Sequence, residues 1–368
     1  MSGRLFAIVA GGGTGGHVYP ALALADALRE RGHPRESIRF VGAARGLEAR
    51  AVPAAGYAID LLPARGLQRG ATWRAIADNL RMIGSLAVSV ARALRIVARA
   101  RPRVLVSVGG YASVPGILAA WLRRVPIVVH EQNATPGLAN RLAVRLGARA
   151  AVSLPGTDLA GAVLTGNPVR RTVVAVRRAP DPERPLVAVF GGSLGSARLN
   201  EATLDLCERW RHRTDRAVLL VTGARYYDEC RQRRQRAARS DDVLAVELVP
   251  YEDRMEDLYA RAAVVVSRSG AITIAELAAA GVPSVLVPWP GAAGDHQTAN
   301  ARAMVAAGAA VLLPDEDCTG ARLAQVIDDM LADPERLETM GEAARAVSRP
   351  DASGALAALV EEVAGAAA

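Results

Sequence analysis

The chain contains no lysine: all 45 of its Lys+Arg positions are arginine. A phosphate loop built on Gly-Lys-Ser/Thr is therefore excluded. Cysteine is scarce, with only Cys207, Cys230 and Cys318. None forms a Cys-x-x-Cys pair or has a histidine nearby at ligand spacing, which argues for a reducing compartment and against structural zinc or a disulfide framework. Aromatics make up 4% of the residues. The arginines are not interleaved with them, so a base-stacking nucleic-acid surface is not expected. Long apolar runs are missing too. The uncharged stretch 277–294 is interrupted by Gly281, Pro283, Pro288 and Pro290, so no membrane-spanning helix is predicted. At the start, Arg4 precedes a short apolar run that ends in glycines, which reads as a first strand rather than a signal peptide. A cytoplasmic protein is expected, or one lying on a membrane from that side. The formal charge of +8 is carried by guanidinium groups, which are good ligands for phosphates and anionic headgroups.

With 368 residues, 51% of them apolar, the chain can build two cores. Short β-like runs at 6–10, 38–41, 104–108, 127–129, 150–152, 186–190, 218–221, 264–267 and 284–287 alternate with helical stretches. This alternation predicts βαβ units and parallel sheets buried on both faces. The chain also repeats loosely. A strand, a glycine-rich turn and a helix start occupy 5–20, and the same order returns at 186–199 around Gly191-Gly192-Ser193-Leu194-Gly195. Between them, 170–184 is rich in proline and arginine and reads as a linker. Two Rossmann-like domains facing across a cleft are expected. They span 1–168 and 169–349, with a helix at about 350–368 crossing back to the first. A second helix is marked by Ile76, Leu80, Ile83, Ala87, Val90, Leu94 and Val97, with Arg92, Arg95 and Arg99 opposite. It is either a core-packed helix with a solvated basic face or part of a membrane-docking segment. In the second case Arg65, Arg69, Trp73, Arg74, Arg81 and Met82 would form a basic rim around apolar side chains.

Gly11-x-Gly13-x-x-Gly16 matches the dinucleotide fingerprint, but no acid follows the second strand, where Gly42-Ala43-Ala44-Arg45 stands. NAD is therefore disfavoured. His17 stands at the mouth of the turn. The positive end of the helix disfavours imidazolium there, leaving a base or a phosphate donor. At 267–276, Ser269, Gly270 and the following amides open a helix towards a phosphate. Glu276 lies one turn on, where it could hold a ribose diol; Thr273-x-x-Glu276 reads equally as a capping box, the preferred reading of these residues alone. Asp295-His296-Gln297-x-x-Asn300 offers amides to sugar hydroxyls. His130-Glu131-Gln132-Asn133 and Gly109-Gly110-Tyr111 end strands on one side. Arg170, at the domain boundary, could meet a diphosphate. The acidic run 315–317 reads as a solvated loop. No Asp-x-Asp stands at a strand end, so neither a catalytic metal nor a cofactor is expected.

In this order, the stretches at 12–17, 109–111, 130–141 (HEQNATPGLANR), 165–170 (TGNPVR), 191–195 (GGSLG), 268–276 and 295–300 resemble the MurG family. Its members move N-acetylglucosamine from UDP-GlcNAc to the lipid-linked N-acetylmuramoyl-pentapeptide of peptidoglycan synthesis. The resemblance implies an α/β, GT-B fold. The C-terminal domain would hold UDP-GlcNAc through Ser193, the amides of Ser269, Gly270, Ala271, Ile272 and Thr273, and the uracil-facing backbone at Tyr251. Glu276 would hold the ribose, replacing the capping role, and Gln297 and Asn300 would take the sugar. Thr14, Gly15, Gly16 and His17 would face the acceptor's diphosphate and the reacting sugars, Asn133 and Arg170 would complete the cleft, Tyr111 would be among the substrate-binding residues, and helix N-termini and Arg170 would offset charge developing on UDP. The implied reaction is a single inverting displacement by the muramoyl 4-hydroxyl, with His17 as the candidate base. The implied setting is the inner face of the cytoplasmic membrane, among cell-wall synthesis and cell-division proteins. Val114 and Thr298 depart from residues common in the family. Competing readings are another GT-B transferase acting on a glycolipid or natural product, an NAD(P)-dependent oxidoreductase, and a basic membrane scaffold without activity.

Overall fold

The computed structural model describes residues 4–13, 15–44, 46–63, 73–192 and 194–366, with side chains of 73–84 outside that description. Two compact units share the chain: 1–168 with 350–368, and 169–349. Each is built on one all-parallel sheet.

In the first unit the strands are β1 (Ala7–Ala10), β2 (Ile38–Ala43), β3 (Ala58–Leu62), β4 (Val104–Ser107), β5 (Ile127–Glu131), β6 (Arg149–Val152) and β7 (Val163–Leu164). Their order is β3-β2-β1-β4-β5-β6-β7. Alternate residues of β1 enter different cores, as the period-2 geometry of a strand demands. Ala7 and Val9 pack with Leu24, Leu28, Leu356 and Val360. Ile8 and Ala10 pack with Val97, Ile117 and Ala143 on the other face. Helix Ala352–Ala366 thus closes one face of this sheet, and Glu361 ties it down by accepting from Arg31 Nη2 at 2.7 Å and pairing with His33 Nε2 at 2.9 Å.

The second unit holds β8 (Leu186–Phe190), β9 (Ala217–Val221), β10 (Ala245–Val249), β11 (Ala262–Ser267), β12 (Ser284–Leu286) and β13 (Ala310–Leu312). Their order is β10-β9-β8-β11-β12-β13. Val187 and Val189 pack against Leu199, Leu206, Leu323 and Ile327.

All nine runs expected from the sequence lie on strands. The four strands not expected, β3, β7, β10 and β13, are the four sheet edges. An edge strand is covered on fewer sides, so its residues need not be uniformly apolar. Asp60 in β3 and Glu247 in β10 interrupt the apolar signal accordingly.

The segment 170–184 differs from a free linker. Residues Arg171–Val174 form a short helix with Val173 fully buried, and Arg178 Nη2 donates to the Ala262 carbonyl at 2.8 Å. Helix Trp73–Ala100 exposes Arg92, Arg95 and Arg99 and buries Ala93 and Val97. Of the expected stripe, Ala87 is exposed, while Ile76, Leu80 and Ile83 lie outside the described side chains. So do all the rim residues named for membrane docking: Arg65, Arg69, Trp73, Arg74, Arg81 and Met82. Among the described residues no helix is long and apolar enough to cross a membrane.

Candidate active site

Each unit carries a glycine-rich turn at the carboxyl end of its central strand, where α/β sheets bind ligands. In the first unit β1 runs through Gly11, Gly12 and Gly13 into helix Gly15–Glu30. All three glycines have positive φ (154°, 147° and 97°). The turn is held from beneath by Glu48, whose carboxylate is 2% exposed. Its Oε2 accepts from the Gly13 amide at 2.8 Å and its Oε1 from the Ala43 amide at 2.8 Å. A Cβ on Gly12, Gly42 or Gly46 would fall within 2.1–2.5 Å of Glu48 side-chain atoms. Three glycines therefore clear the space that one carboxylate fills. Sequence reading sought an acid directly after β2 and did not find it. The acid that does follow, Glu48, is buried beneath the turn and supports it, and the glycines at 42 and 46 leave room for it.

His17 is half-buried in the first turn of the helix. Its ring lies over Gly109 and Gly110. A Cβ on Gly109 would stand 3.3 Å from His17 Cδ2 and Nε2, and one on Gly110 would stand 3.6 Å from Cε1 and Nδ1. Both glycines have positive φ (86° and 78°), which suits a turn that must pass under a ring. Tyr111, next in the chain, faces Gly13, and burial followed by the Glu48 charge raises its phenol pKa above the ordinary value. Gly15 and Gly16 open the helix, and Thr14 lies outside the described residues.

The HEQN stretch divides. His130, Glu131 and Gln132 are buried scaffold, so of the four polar groups at this strand end three face the interior. Gln132 Nε2 donates to the Val108 carbonyl at 3.0 Å and to His130 Nδ1 at 3.1 Å. His130 must then carry its proton on Nε2, which faces the Gly166 carbonyl at 3.0 Å. Burial lowers its pKa, in keeping with a neutral ring. Glu131 accepts from the amides of Asn133 (3.0 Å) and Gly137 (2.9 Å) and from Asn140 Nδ2 (2.9 Å). It fixes the loop that presents Asn133, the half-buried member of the four.

In the second unit the turn after β8 is packed backbone to backbone. A Cβ on Gly195 would lie 2.2 Å from the Thr222 carbonyl oxygen, and one on Gly223 would lie 2.7 Å from Gly195 Cα. Ser193 lies outside the described residues. Helix Ala197–Arg209 begins at Ser196, whose hydroxyl accepts from the Leu199 amide. Arg268, 9% exposed, joins the surrounding loops. It donates to Ser196 Oγ (2.9 Å), to the carbonyls of Val287 (3.0 Å) and Pro288 (3.1 Å), and to Asp315 Oδ1 (2.6 Å). Asp315 is therefore a structural partner and not a member of a solvated loop, whereas Glu316 and Asp317 are exposed.

Beyond Arg268, helix Ala271–Ala280 has Gly270 as its N-cap and no side-chain cap. The capping-box reading of Thr273 and Glu276 is thus incorrect, because Thr273 lies inside the helix. Glu276 is 6% exposed and turns to two other partners. Arg170 donates to its Oε1 through Nε (3.1 Å) and forms an ion pair with it through Nη2 (3.0 Å), and the buried Tyr259 hydroxyl donates to its Oε2 at 2.9 Å. Burial nevertheless raises the Glu276 pKa above the usual carboxylate value, against the pull of Arg170. Gly270, Ala271, Ile272 and Thr273 are half-buried, so this helix start remains accessible. Ser269, Gln297 and Asn300 come together beside it. Ser269 Oγ donates to the Gln297 carbonyl (2.8 Å), and Asn300 Nδ2 donates to the Ser269 carbonyl (3.0 Å). Ser269 and Asn300 are fully buried, while Gln297 is half-buried and accepts from the Trp289 amide through Oε1 (2.9 Å). Thr298 donates to Asp295 at 2.6 Å. Tyr251, 52% exposed, follows β10. Among the described residues no group of three or more His, Cys, Asp or Glu side chains could hold a metal.

Two parallel-sheet units, each with a glycine turn feeding a helix, have the architecture of the GT-B glycosyltransferases. The chain belongs to glycosyltransferase family 28, whose N-terminal domain model matches residues 7–152 and whose C-terminal domain model matches 186–356. It is 43% identical over 372 residues to the UDP-N-acetylglucosamine–N-acetylmuramyl-(pentapeptide) pyrophosphoryl-undecaprenol N-acetylglucosamine transferase of Halorhodospira halophila, covering 99% of each chain. It is 42% identical over 359 residues to the enzyme of the same name from Alkalilimnicola ehrlichii, covering 95% of this chain and 96% of that one. Among solved structures it is similar to MurG of Acinetobacter baumannii, with a TM-score of 0.78, 25% identity and coverage of 98% and 100%. These findings overturn the oxidoreductase reading and the reading as an inactive scaffold.

Proposed function

We infer that this protein is a UDP-GlcNAc-dependent hexosyltransferase. It moves N-acetylglucosamine to the 4-hydroxyl of undecaprenyl-diphosphate-linked N-acetylmuramoyl-pentapeptide, with inversion at the anomeric carbon and UDP as the leaving group. The observation that carries this reading is full-length relatedness, at 42–43% identity, to enzymes named for that transfer.

The residue roles are our proposal. The accessible amides of 270–273 at a helix start suit the donor's diphosphate, and Glu276 suits the ribose diol. Gln297 lines the sugar, with Asn300 and Ser269 holding that loop from inside, and Tyr251 stands beside the uracil. Ser193 belongs with the donor contacts. In the first unit, His17 takes the proton of the attacking hydroxyl. Thr14, Gly15, Gly16, Tyr111 and Asn133 receive the acceptor's diphosphate and sugar. Arg170 offsets charge developing on UDP. We further propose that the first unit rests on the inner face of the cytoplasmic membrane, its exposed arginines meeting anionic headgroups, near other cell-wall synthesis proteins.

The test is UDP release from UDP-GlcNAc with a short-chain lipid-linked muramoyl-pentapeptide. Release that requires the acceptor and persists in EDTA is expected. No release with this acceptor, alongside transfer to another glycolipid, would move the assignment to a different GT-B acceptor.

A further inference from the structure

The fully buried Tyr259 presents its hydroxyl to the carboxylate of Glu276. It stands on helix Met255–Arg261, and its ring leans on Phe190, the last residue of β8, at a centroid distance of 6.3 Å and an interplanar angle of 60°. A ring packed on the strand that feeds the glycine turn thus reaches a side chain on helix Ala271–Ala280. Burial and the neighbouring Glu276 charge hold the phenol pKa well above the ordinary 10.0, so the hydroxyl stays a donor throughout the neutral range.

The hydrogen bonds divide the Glu276 carboxylate evenly. A carboxylate offers about four lone-pair positions, two on each oxygen. Among the described residues, Arg170 Nε donates to Oε1 at 3.1 Å and Tyr259 donates to Oε2 at 2.9 Å. One position is left on each oxygen, and a vicinal diol can bring one hydroxyl hydrogen to each. The terminal torsion of a glutamate is broad, so the side chain alone does not fix where these positions point. The Arg170 side chain is 42% exposed and holds only Oε1, whereas Tyr259 holds Oε2 from inside the core. Resting on the assignment of Glu276 to the ribose, we propose that Tyr259 is a positioning residue for donor binding. It locks the plane of the Glu276 carboxylate so that the remaining lone pair on each oxygen meets the 2′- and 3′-hydroxyls. The same hydrogen bond joins Arg170 in favouring the ionised carboxylate against burial.

The experiment titrates UDP and 2′,3′-dideoxy-UDP into the full-length wild type, Tyr259→Phe, Glu276→Ala and the double variant. Phenylalanine keeps the buried ring and removes only the hydroxyl. Tyr259→Phe is expected to bind UDP about three- to tenfold more weakly than wild type, the scale of one hydrogen bond. Its affinity for dideoxy-UDP should match wild type, a result that damage to the fold would not give. In the Glu276→Ala background the second substitution should change neither affinity, because Tyr259 acts through the carboxylate. A full wild-type preference for UDP in Tyr259→Phe would overturn the inference and leave the ribose assignment standing. So would weakening of both nucleotides alike, which would make the hydroxyl a support of the fold, or a further loss of UDP affinity in the double variant. Equal binding of the two nucleotides by wild type would remove the ribose assignment, and the inference with it.

Discussion

The two glycine turns occupy equivalent places in equivalent sheets, yet they are held in different ways. The turn after β1 rests on a side chain, with Glu48 filling the space left by Gly12, Gly42 and Gly46 and accepting from the Gly13 amide. The turn after β8 rests on backbone, with Gly195 against Thr222 and Gly223 and no room for a Cβ. Around the second turn, Arg268 ties three loops together. Around the first, His17 lies over Gly109 and Gly110 with a half-buried ring. The second turn is thus fixed by backbone packing and by Arg268. The first offers a titratable group on a turn whose shape depends on one buried charge. A fold repeated within one chain thus holds its two turns by different means, and the roles proposed for them are binding on one side and proton transfer on the other.

The largest effect is expected at His17. Loss of a general base costs about 10²- to 10⁴-fold in rate, so His17→Ala should lower kcat on that scale in the UDP-release assay. A nearly full rate would move the base elsewhere in the first unit. Next comes Glu276→Ala, which would remove the charge-assisted hydrogen bonds proposed to the ribose. Such bonds are worth about 1.5–3 kcal/mol, so calorimetry should record UDP affinity roughly 10- to 100-fold weaker. If only kcat changed, the division between the two turns would be wrong.

Smaller effects probe how the turns are held. Gly195→Ala forces a Cβ onto the Thr222 carbonyl and demands positive φ of an alanine. Overpacking of this kind costs about 1–3 kcal/mol, to be seen as earlier chemical denaturation of the second unit. Glu48→Gln keeps the shape but leaves one backbone N–H facing an amide NH2. A buried donor without a partner costs about 1–3 kcal/mol. KM for the lipid-linked acceptor should rise while UDP affinity stays at the wild-type value. A change in UDP affinity would show that the first turn also serves the donor.

The smallest effect concerns the clasp of helix Ala352–Ala366. Arg31 and His33 hold the Glu361 carboxyl below its ordinary pKa. An acid depressed in the folded state stabilises above its unfolded pKa and loses that contribution as pH falls through the folded one. Glu361→Gln should therefore cost about 0.2–1 kcal/mol at neutral pH. The gap from wild type should close as pH drops below about 4.5, the ordinary value for glutamate. A gap that persisted in acid would mean the contact is packing and not charge.

What was legible in the sequence follows from how each feature is encoded. Buried central strands declare themselves as apolar runs, and glycine turns as composition, so both sheets' centres and both turns could be read. The edge strands β3, β7, β10 and β13 could not, because partial exposure frees their residues from a uniform apolar requirement. Side-chain partnerships across long separations left no local trace. Thr273 and Glu276 stand at capping-box spacing, yet Glu276 is bound by Arg170, 106 positions away. Asp315 sits in an acidic run, yet its partner Arg268 is 47 positions away. His130, Glu131 and Gln132 look like surface polar groups because nothing local says that they satisfy one another inside.

The division of labour between the two turns is tested most directly by the UDP dissociation constant of His17→Ala, measured by titration calorimetry beside the wild type. The account predicts the same constant for both proteins, even though the variant has lost transfer. A clearly weaker constant for His17→Ala would contradict it, placing His17 in the donor site and leaving the first turn without its proposed chemistry.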